Sequence, residues 1–165
     1  MRIRAIAAIA ATGAVLAGWY LAVHSTERQI RKLFAQVSSE LRKDGQEHPF
    51  EQLAKARALA GHVGAQLSIE GMGHHGRHVV DHAGLQQQIA MFRRELQTFS
   101  VSFDQLTVSM DKDGTVKAFC NARCSGLPEW VDSGDAYTLA ATLEKDAKSG
   151  DWRFIALHFA SLIPQ

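Results

Sequence analysis

The last third of the chain carries four strand-like segments in a row, and this pattern constrains the fold more than any other feature. The segments are Ser100 to Met110, Thr115 to Cys124, Ala136 to Asp146 and Trp152 to Leu162. Asp111 to Gly114 and Lys148 to Asp151 are typical hairpin turns between them. Strands joined by short turns pair antiparallel, so the pattern predicts an antiparallel meander.

Helices are predicted before the meander. His24 to Lys43 carries apolar residues at three- and four-residue spacing, and Ser25 or Thr26 is the predicted cap. That apolar face consists of Ile30, Leu33, Phe34, Val37 and Leu41 and is expected to pack on a sheet. Two further helices and one strand are predicted, namely Phe50 to His62, Leu85 to Phe99 and the strand Ala65 to Gly71. Helices segregated from a mostly antiparallel sheet define an α+β fold.

The N-terminus carries a charge-free run of nineteen residues, Ala5 to Val23. As a helix, this run is long enough to cross the roughly 30 Å hydrocarbon core of a bilayer. A cleaved signal peptide is the alternative, with Val15 to Ala17 as the cleavage site. The uninterrupted continuation into the next helix favours an anchor. Residues 1–23 are therefore assigned to a transmembrane anchor or signal peptide, and residues 24–165 to the folded domain.

Charges on the two sides of the run do not fix its orientation. Arg2 and Arg4 precede it, whereas Arg28, Arg31 and Lys32 follow it. A short basic start before an apolar run is the ordinary export signal. We therefore predict a single-pass protein of the bacterial inner membrane with its C-terminal domain in the periplasm.

Composition argues against nucleic-acid binding and against a disulfide scaffold. The formal net charge is +1, and the basic residues are scattered. Cys120 and Cys124 are the two cysteines. In one regular strand their Cα atoms lie about 13 Å apart, too far for a disulfide, whereas a turn between them would permit one. Both alternatives stay open.

Four histidines lie close together in the stretch GMGHHGRHVVDHAG, Gly71 to Gly84. On one continuous helix His74, His78 and His82 would share a face and could bind a metal, with Glu70, Asp81 or His62 as further ligands. Interrupting glycines argue against such a helix, so a solvated loop is predicted rather than a metal site. A protonation-sensitive patch is the third alternative.

Two stretches resemble the nuclear-transport-factor-2-like superfamily, also called SnoaL-like or cystatin-like. HHGRHVVDHAGLQQQIAMFRRE is similar to the family's entry into the third helix, and KSGDWRFIALHFAS is similar to its last hairpin. The similarity in element order covers roughly Glu27 to Ile163. The resemblance implies a cone-shaped, bent, mostly antiparallel sheet packed on three helices, with a pocket inside the cone.

The resemblance also implies which residues line the pocket. Period-two alternation places Trp152, Phe154, Ala156 and His158 on one strand face. By resemblance that face looks into the cone, and Cys120 is placed in the same lining. Enzymes of this fold use such a histidine, or an aspartate nearby, as general acid or base. Asp104 is the closest candidate partner, and Asp81 and Arg123 are others.

Two functional hypotheses follow. The first is a membrane-anchored, non-catalytic module that binds a small apolar ligand or docks on a membrane protein complex as an accessory subunit. A homodimer is a further possible assembly, and the bilayer is the expected partner of residues 5–23. The second is a cofactor-free lyase or isomerase that uses His158 and Asp104. The scarcity of ionisable groups on the strand faces favours the first, and no cofactor is expected under either.

Overall fold

The computed structural model describes residues 24–71, 76–126 and 136–161. Helix α1 covers residues 24–41 of the described chain. The remaining elements follow in the order β1 (Lys43–Asp44), α2 (Pro49–Gly61), β2 (Val63–Glu70), β3 (His78–Asp81), α3 (His82–Glu95), β4 (Thr98–Met110), β5 (Val116–Ser125), β6 (Ala136–Lys145) and β7 (Trp152–Ser161).

The described strands form one curled seven-stranded sheet in the order β1-β4-β5-β6-β7-β2-β3. Strands β4 to β7 form the predicted antiparallel meander. Strand β2 returns from the helical layer and pairs parallel with β7. The three helices and the mostly antiparallel sheet confirm the predicted α+β class.

Several predicted boundaries differ from the structure. Residues 24–26 are already helical, so a cap at Ser25 or Thr26 is wrong, because a cap residue has non-helical dihedral angles. Lys43 leaves the predicted first helix because it pairs with Phe99 in the sheet. Part of the predicted histidine loop forms β3, which pairs with β2 and ends at Asp81. Asp81 then caps α3 by accepting from the Gly84 N–H at 2.8 Å.

The predicted anchor at residues 5–23 lies outside the described residues. Within the described part of the chain, no helix is both long enough and apolar enough to cross a membrane. Residues 127–135, which include Trp130 and connect β5 to β6, also lie outside the described residues.

The apolar face of α1 packs on the sheet, as predicted. Ile30 is fully buried, and Leu33 and Phe34 lie beside it in the core. The Phe34 ring makes edge-to-face contacts with Phe103 and Phe154 at centroid distances of 5.1 and 5.3 Å. Such aromatic pairs add to the burial energy. Helix α1 is thus held against both β4 and β7.

The buried guanidinium of Arg93 ties the C-terminal end of α1 to α3. Its Nη1 donates to the carbonyl oxygens of Glu40 and Leu41 at 3.0 Å, and its Nη2 donates to the Arg42 carbonyl at 3.1 Å. Its Nε and Nη2 also donate to the two carboxylate oxygens of Glu47 at 3.0 and 2.5 Å. The carbonyls at the end of a helix have no partner within the helix, so Arg93 supplies the missing donors.

The arrangement is reciprocal. Lys43, which follows α1 closely, is also buried, and its Nζ donates to the carbonyls of Arg93 and Leu96 at the end of α3. Each helix end is thus capped by a cation from the other segment. Because the charges are buried, the free energy of unfolding depends on every partner being present.

Replacing Arg93 with methionine tests this capping. The change removes five hydrogen bonds and takes away the main buried partner of Glu47. We therefore expect the free energy of unfolding to fall by about 3–5 kcal/mol. Arg94→Met is the matched control, because Arg94 is exposed on the same turn, and it should change stability by no more than about 0.5 kcal/mol. Urea unfolding at neutral pH measures both. Equal losses in the two variants would show that the Arg93 contacts do not stabilise the fold.

Glu47 makes this network sensitive to acid. Burial raises the pKa of its carboxyl, but hydrogen bonds from Arg93 and Lys55 more than offset this effect and hold the pKa below its usual 4.5. A carboxyl with a lowered folded-state pKa stabilises the protein above its usual pKa. That contribution is lost as the pH falls through the folded-state value.

The corresponding prediction concerns Glu47→Gln. The variant should be less stable than the wild type at pH 7, and the difference should shrink steadily below about pH 4.5, where the wild-type carboxyl takes up its proton. Urea midpoints measured from pH 3 to pH 7 give the comparison. A difference that stays constant over this range would contradict the assigned role of the Glu47 charge.

Candidate functional site

A cleft of about 650 Å³ lies between α1, the end of α2 and the hairpin that joins β6 to β7. Helix α1 contributes Gln29, Lys32, Leu33, Gln36 and Glu40 to its wall; α2 and the residue after it contribute Ala58, Gly61 and His62; the hairpin contributes Gly150, Asp151 and Trp152. The five α1 positions are spaced by three, one, three and four residues, so they share one side of the helix. Apart from Leu33, these positions form a polar stripe beside the apolar stripe that packs in the core.

A histidine and a glutamate face each other in this cleft. The Nε2–H of His62 donates to Oε2 of Glu40 at 2.9 Å, and both side chains are only about one-fifth exposed, at 18% and 20%. The amide of Gln36 donates to the other oxygen of Glu40, also at 2.9 Å. Glu40 thus fixes the imidazole ring, and Gln36 fixes Glu40. In the described part of the chain, Nδ1 of His62 has no protein partner, so in the neutral ring it can accept a hydrogen bond from a ligand.

The backbone of His62 is held on both sides. Its N–H donates to the Leu59 carbonyl at 3.1 Å as α2 ends, and its carbonyl accepts from the Phe154 N–H of β7 at 2.9 Å. His62 is the residue at which α2 turns into β2. A side chain on such a constrained junction keeps its direction, which is what a binding or catalytic group requires.

Trp152 forms one wall of the cleft. It is 8% exposed, and its Nε1–H donates to the Gln29 side-chain oxygen at 3.0 Å. Lys145 lies over the ring with its Nζ 5.9 Å from the centroid, within reach of a cation–π contact. Of the residues predicted to line a pocket, Trp152 therefore borders this cleft.

Phe154 and Cys120 lie in the packed core instead. Phe154 is 6% exposed against Phe34, and Cys120 is 4% exposed on β5. Both cysteines lie in one strand and no disulfide joins them, in agreement with the alternative without a disulfide. Burial, with a smaller contribution from the Asp104 charge, raises the pKa of the Cys120 thiol to about 11. Cys120 is therefore an unreactive core residue at neutral pH.

The predicted inward direction of His158 is wrong. Phe154 pairs with Leu143 but Ala156 pairs with Thr142, so β7 contains one extra residue at this point. A bulge of one residue reverses the face of every later side chain. His158 therefore points to the outer side of the sheet, where its side chain is 57% exposed and its Nδ1 lies 3.6 Å from Oε2 of Glu70.

Asp104 does not join His158, so the structure does not assemble the predicted catalytic pair. It lies on β4, exposed, with its Oδ2 3.6 Å from Nε of Arg123. Strands β5 and β6 separate it from His158. At roughly 4.8 Å between neighbouring strands, the two backbones are about 14 Å apart.

The clustered histidines do not converge in the described residues. His78 is exposed on β3, whereas the Nε2–H of His82 donates to the Val63 carbonyl at 2.8 Å. His74 and His75 lie outside the described residues. Asp81 caps α3 and Glu70 neighbours His158, so these proposed additional ligands are also engaged elsewhere. Among the described residues, no group of three potential metal ligands comes together.

Comparison with solved structures identifies the architecture. An NTF2-like protein with a cystatin-like fold from Novosphingobium aromaticivorans shares 17% identity over 90% of this chain and 89% of its own, with a TM-score of 0.65. Aln2 from a Streptomyces species shares 15% sequence identity with this chain. The alignment covers 83% of this chain and 91% of Aln2, with a TM-score of 0.60. A protein from Catenulispora acidiphila, solved in complex with S-DNPA, shares 12% sequence identity. The alignment covers 82% of this chain and 94% of that protein, with a TM-score of 0.59.

The chain has the cystatin-like, NTF2-like fold. No protein-family model and no curated protein matches its sequence. At these identities the likeness concerns the fold alone, and function has to be argued from the cleft.

The Glu40–His62 pair is not among the site residues predicted from the sequence. The two residues are 22 positions apart and lie on different elements, so no local spacing connects them. One signal was available: Gln29, Lys32, Gln36 and Glu40 form a polar stripe beside the apolar stripe of α1. A polar stripe next to a buried one marks the border of a core, where clefts form.

The two histidines should respond differently to alanine. His62→Ala leaves Glu40 partly buried without its imidazole donor, so we expect a loss of about 1–3 kcal/mol in the free energy of unfolding. His158→Ala removes an exposed side chain and should stay within about 0.5 kcal/mol of the wild type. Urea unfolding at neutral pH tests both. A larger loss for His158→Ala than for His62→Ala would contradict the strand register described here.

Proposed function

We propose that the domain binds a small organic ligand in the cleft along α1. The observation that carries this proposal is the cleft itself, whose volume of about 650 Å³ lies within the range of known small-molecule sites. Its wall combines the apolar surfaces of Leu33 and Trp152 with the hydrogen-bonding groups of His62 and Glu40. Such a mixture binds a molecule by apolar contact and orients it by a few polar ones.

The wider context of this binding module remains a proposal based on the sequence. Residues 5–23 are expected to anchor the chain in the bacterial inner membrane, with the domain on the periplasmic side. Docking on a membrane protein complex is the other non-catalytic role that the sequence suggested. We favour ligand binding because the cleft offers a defined volume and directed polar groups. The Catenulispora neighbour, solved with S-DNPA, supports the view that this fold can hold a small molecule.

Blocking the cleft tests the proposal. Ala58 lines the cleft, whereas Ala54, four residues earlier on the same helix, is exposed and does not line it. We expect saturation-transfer NMR with a panel of small aliphatic, aromatic and hydroxylated compounds to find binders. Ala58→Phe should weaken them at least tenfold, about 1.4 kcal/mol, and Ala54→Phe should leave them unchanged. Binding that survives Ala58→Phe would place the ligand elsewhere.

A second candidate function is proton transfer of the lyase or isomerase type, and the Glu40–His62 pair favours it. A histidine held by a carboxylate in a cleft is the arrangement of a general base. The bound compounds supply the test: in D₂O, a catalytic base exchanges an acidic C–H of the ligand. His62→Asn should then slow exchange by about 10²–10⁴-fold without abolishing binding, and His158→Asn should not. Binding without exchange in the wild type would leave only the non-catalytic function.

A further inference from the structure

The described part of helix α1 begins at residue 24, directly after the predicted membrane anchor. The anchor is expected to finish at Val23, and the described chain is helical from residue 24 onward. For the proposal below we therefore take the axis of α1 as the direction in which the domain extends from the predicted membrane surface.

The cleft runs along this helix. Gln29, bonded to Trp152, marks the end of the cleft nearest the anchor, and Glu40, bonded to His62, marks the far end. At 1.5 Å per helical residue, the near end lies about 9 Å beyond Val23 and the far end about 25 Å beyond it. The long axis of the cleft thus points from the predicted membrane surface into the domain.

The charges at the near end suit a lipid surface. Arg28, Lys32 and Lys148 are exposed and form no ion pair within the described part of the chain. In the neighbouring turns Asp111 pairs with Lys117 and Asp146 with Arg153, which leaves Asp113 and Asp151 as exposed acids without an ion pair in the described part of the chain. Exposed cations next to a membrane are attracted by anionic headgroups.

We propose that the cleft takes its ligand from the bilayer and binds a membrane-partitioned amphiphile. The polar head of this molecule reaches the Glu40–His62 pair at the far end, where Nδ1 of His62 has no protein partner among the described residues. Its apolar chain lies against Leu33 and Trp152 and trails toward the membrane. This inference rests on the proposed anchor and on the proposed ligand site, and the experiment below separates its failure from theirs.

The first step measures orientation with the full chain in vesicles of phosphatidylcholine and phosphatidylglycerol that carry a headgroup nitroxide. In a Trp19→Phe, Trp130→Phe background, Trp152 is the only tryptophan and its fluorescence reports on the near end. The matched control adds Gln97→Trp and Trp152→Phe, because exposed Gln97 lies beside the end of α1, where its carbonyl accepts from the Gly45 N–H at 3.1 Å. We expect several-fold stronger quenching at position 152 than at position 97.

The second step measures the ligand class in the same vesicles without the nitroxide. The probe is a long-chain alcohol with a dansyl group at the end of its tail. Energy transfer from Trp152 to this probe should exceed transfer to a water-soluble dansyl amide. Ala58→Phe should reduce it to the level of nonspecific contact with the bilayer, and Ala54→Phe should not.

Each outcome has one meaning. A chain that fails to float with the vesicles lacks the anchor, and the inference falls with it. A chain that floats but shows equal quenching at both positions keeps its anchor and overturns the orientation. If the orientation is as expected but Ala58→Phe does not reduce energy transfer to the dansyl alcohol, an amphiphile is not the ligand of the cleft. The proposed binding of small ligands is then still tested with soluble compounds.

Discussion

The guanidinium of Arg93 is the interaction on which the rest of the structure depends. It caps the last carbonyls of α1, including that of Glu40, while Lys43 caps the end of α3 in return. The same contact that closes the helical layer therefore fixes the backbone from which Glu40 reaches His62. An error in this capping would displace the cleft as well as weaken the fold, because one residue serves both.

Bulges decide which face of the sheet each side chain occupies. In β7 one extra residue separates Trp152 and Phe154, which face the core, from His158, which does not. A similar irregularity in β4 coincides with Gln105, whose φ is 56°. Such irregularities let a sheet curl around α1. At each irregularity the strand bends, and the side chains that follow it lie on the opposite face from the one that strict alternation would give them.

Much of the architecture could be predicted from the sequence, because hydrophobic period and turn residues act locally. The meander and the apolar face of α1 follow from spacing within single elements. The direction of the His158 side chain could not be predicted, because the alternation of apolar and polar residues in the sequence does not show where a strand contains an extra residue. Nor could the Glu40–His62 pair, because it forms only after α2 folds back along α1. Local patterns therefore predict the elements, whereas the cleft depends on how they meet.

The position of the cleft follows from the two adjacent sides of α1, one of which packs in the core while the other lines the cleft. One stripe of the helix, with Ile30 and Phe34, is buried in the sheet, and the adjacent stripe, from Gln29 to Glu40, borders the cleft. Leu33 belongs to both stripes. Because the core immobilises the helix, the polar side chains of the second stripe start from a rigid backbone and lose less entropy when they bind a ligand. A binding site on the edge of the core thereby gains preorganisation from the same packing that stabilises the fold.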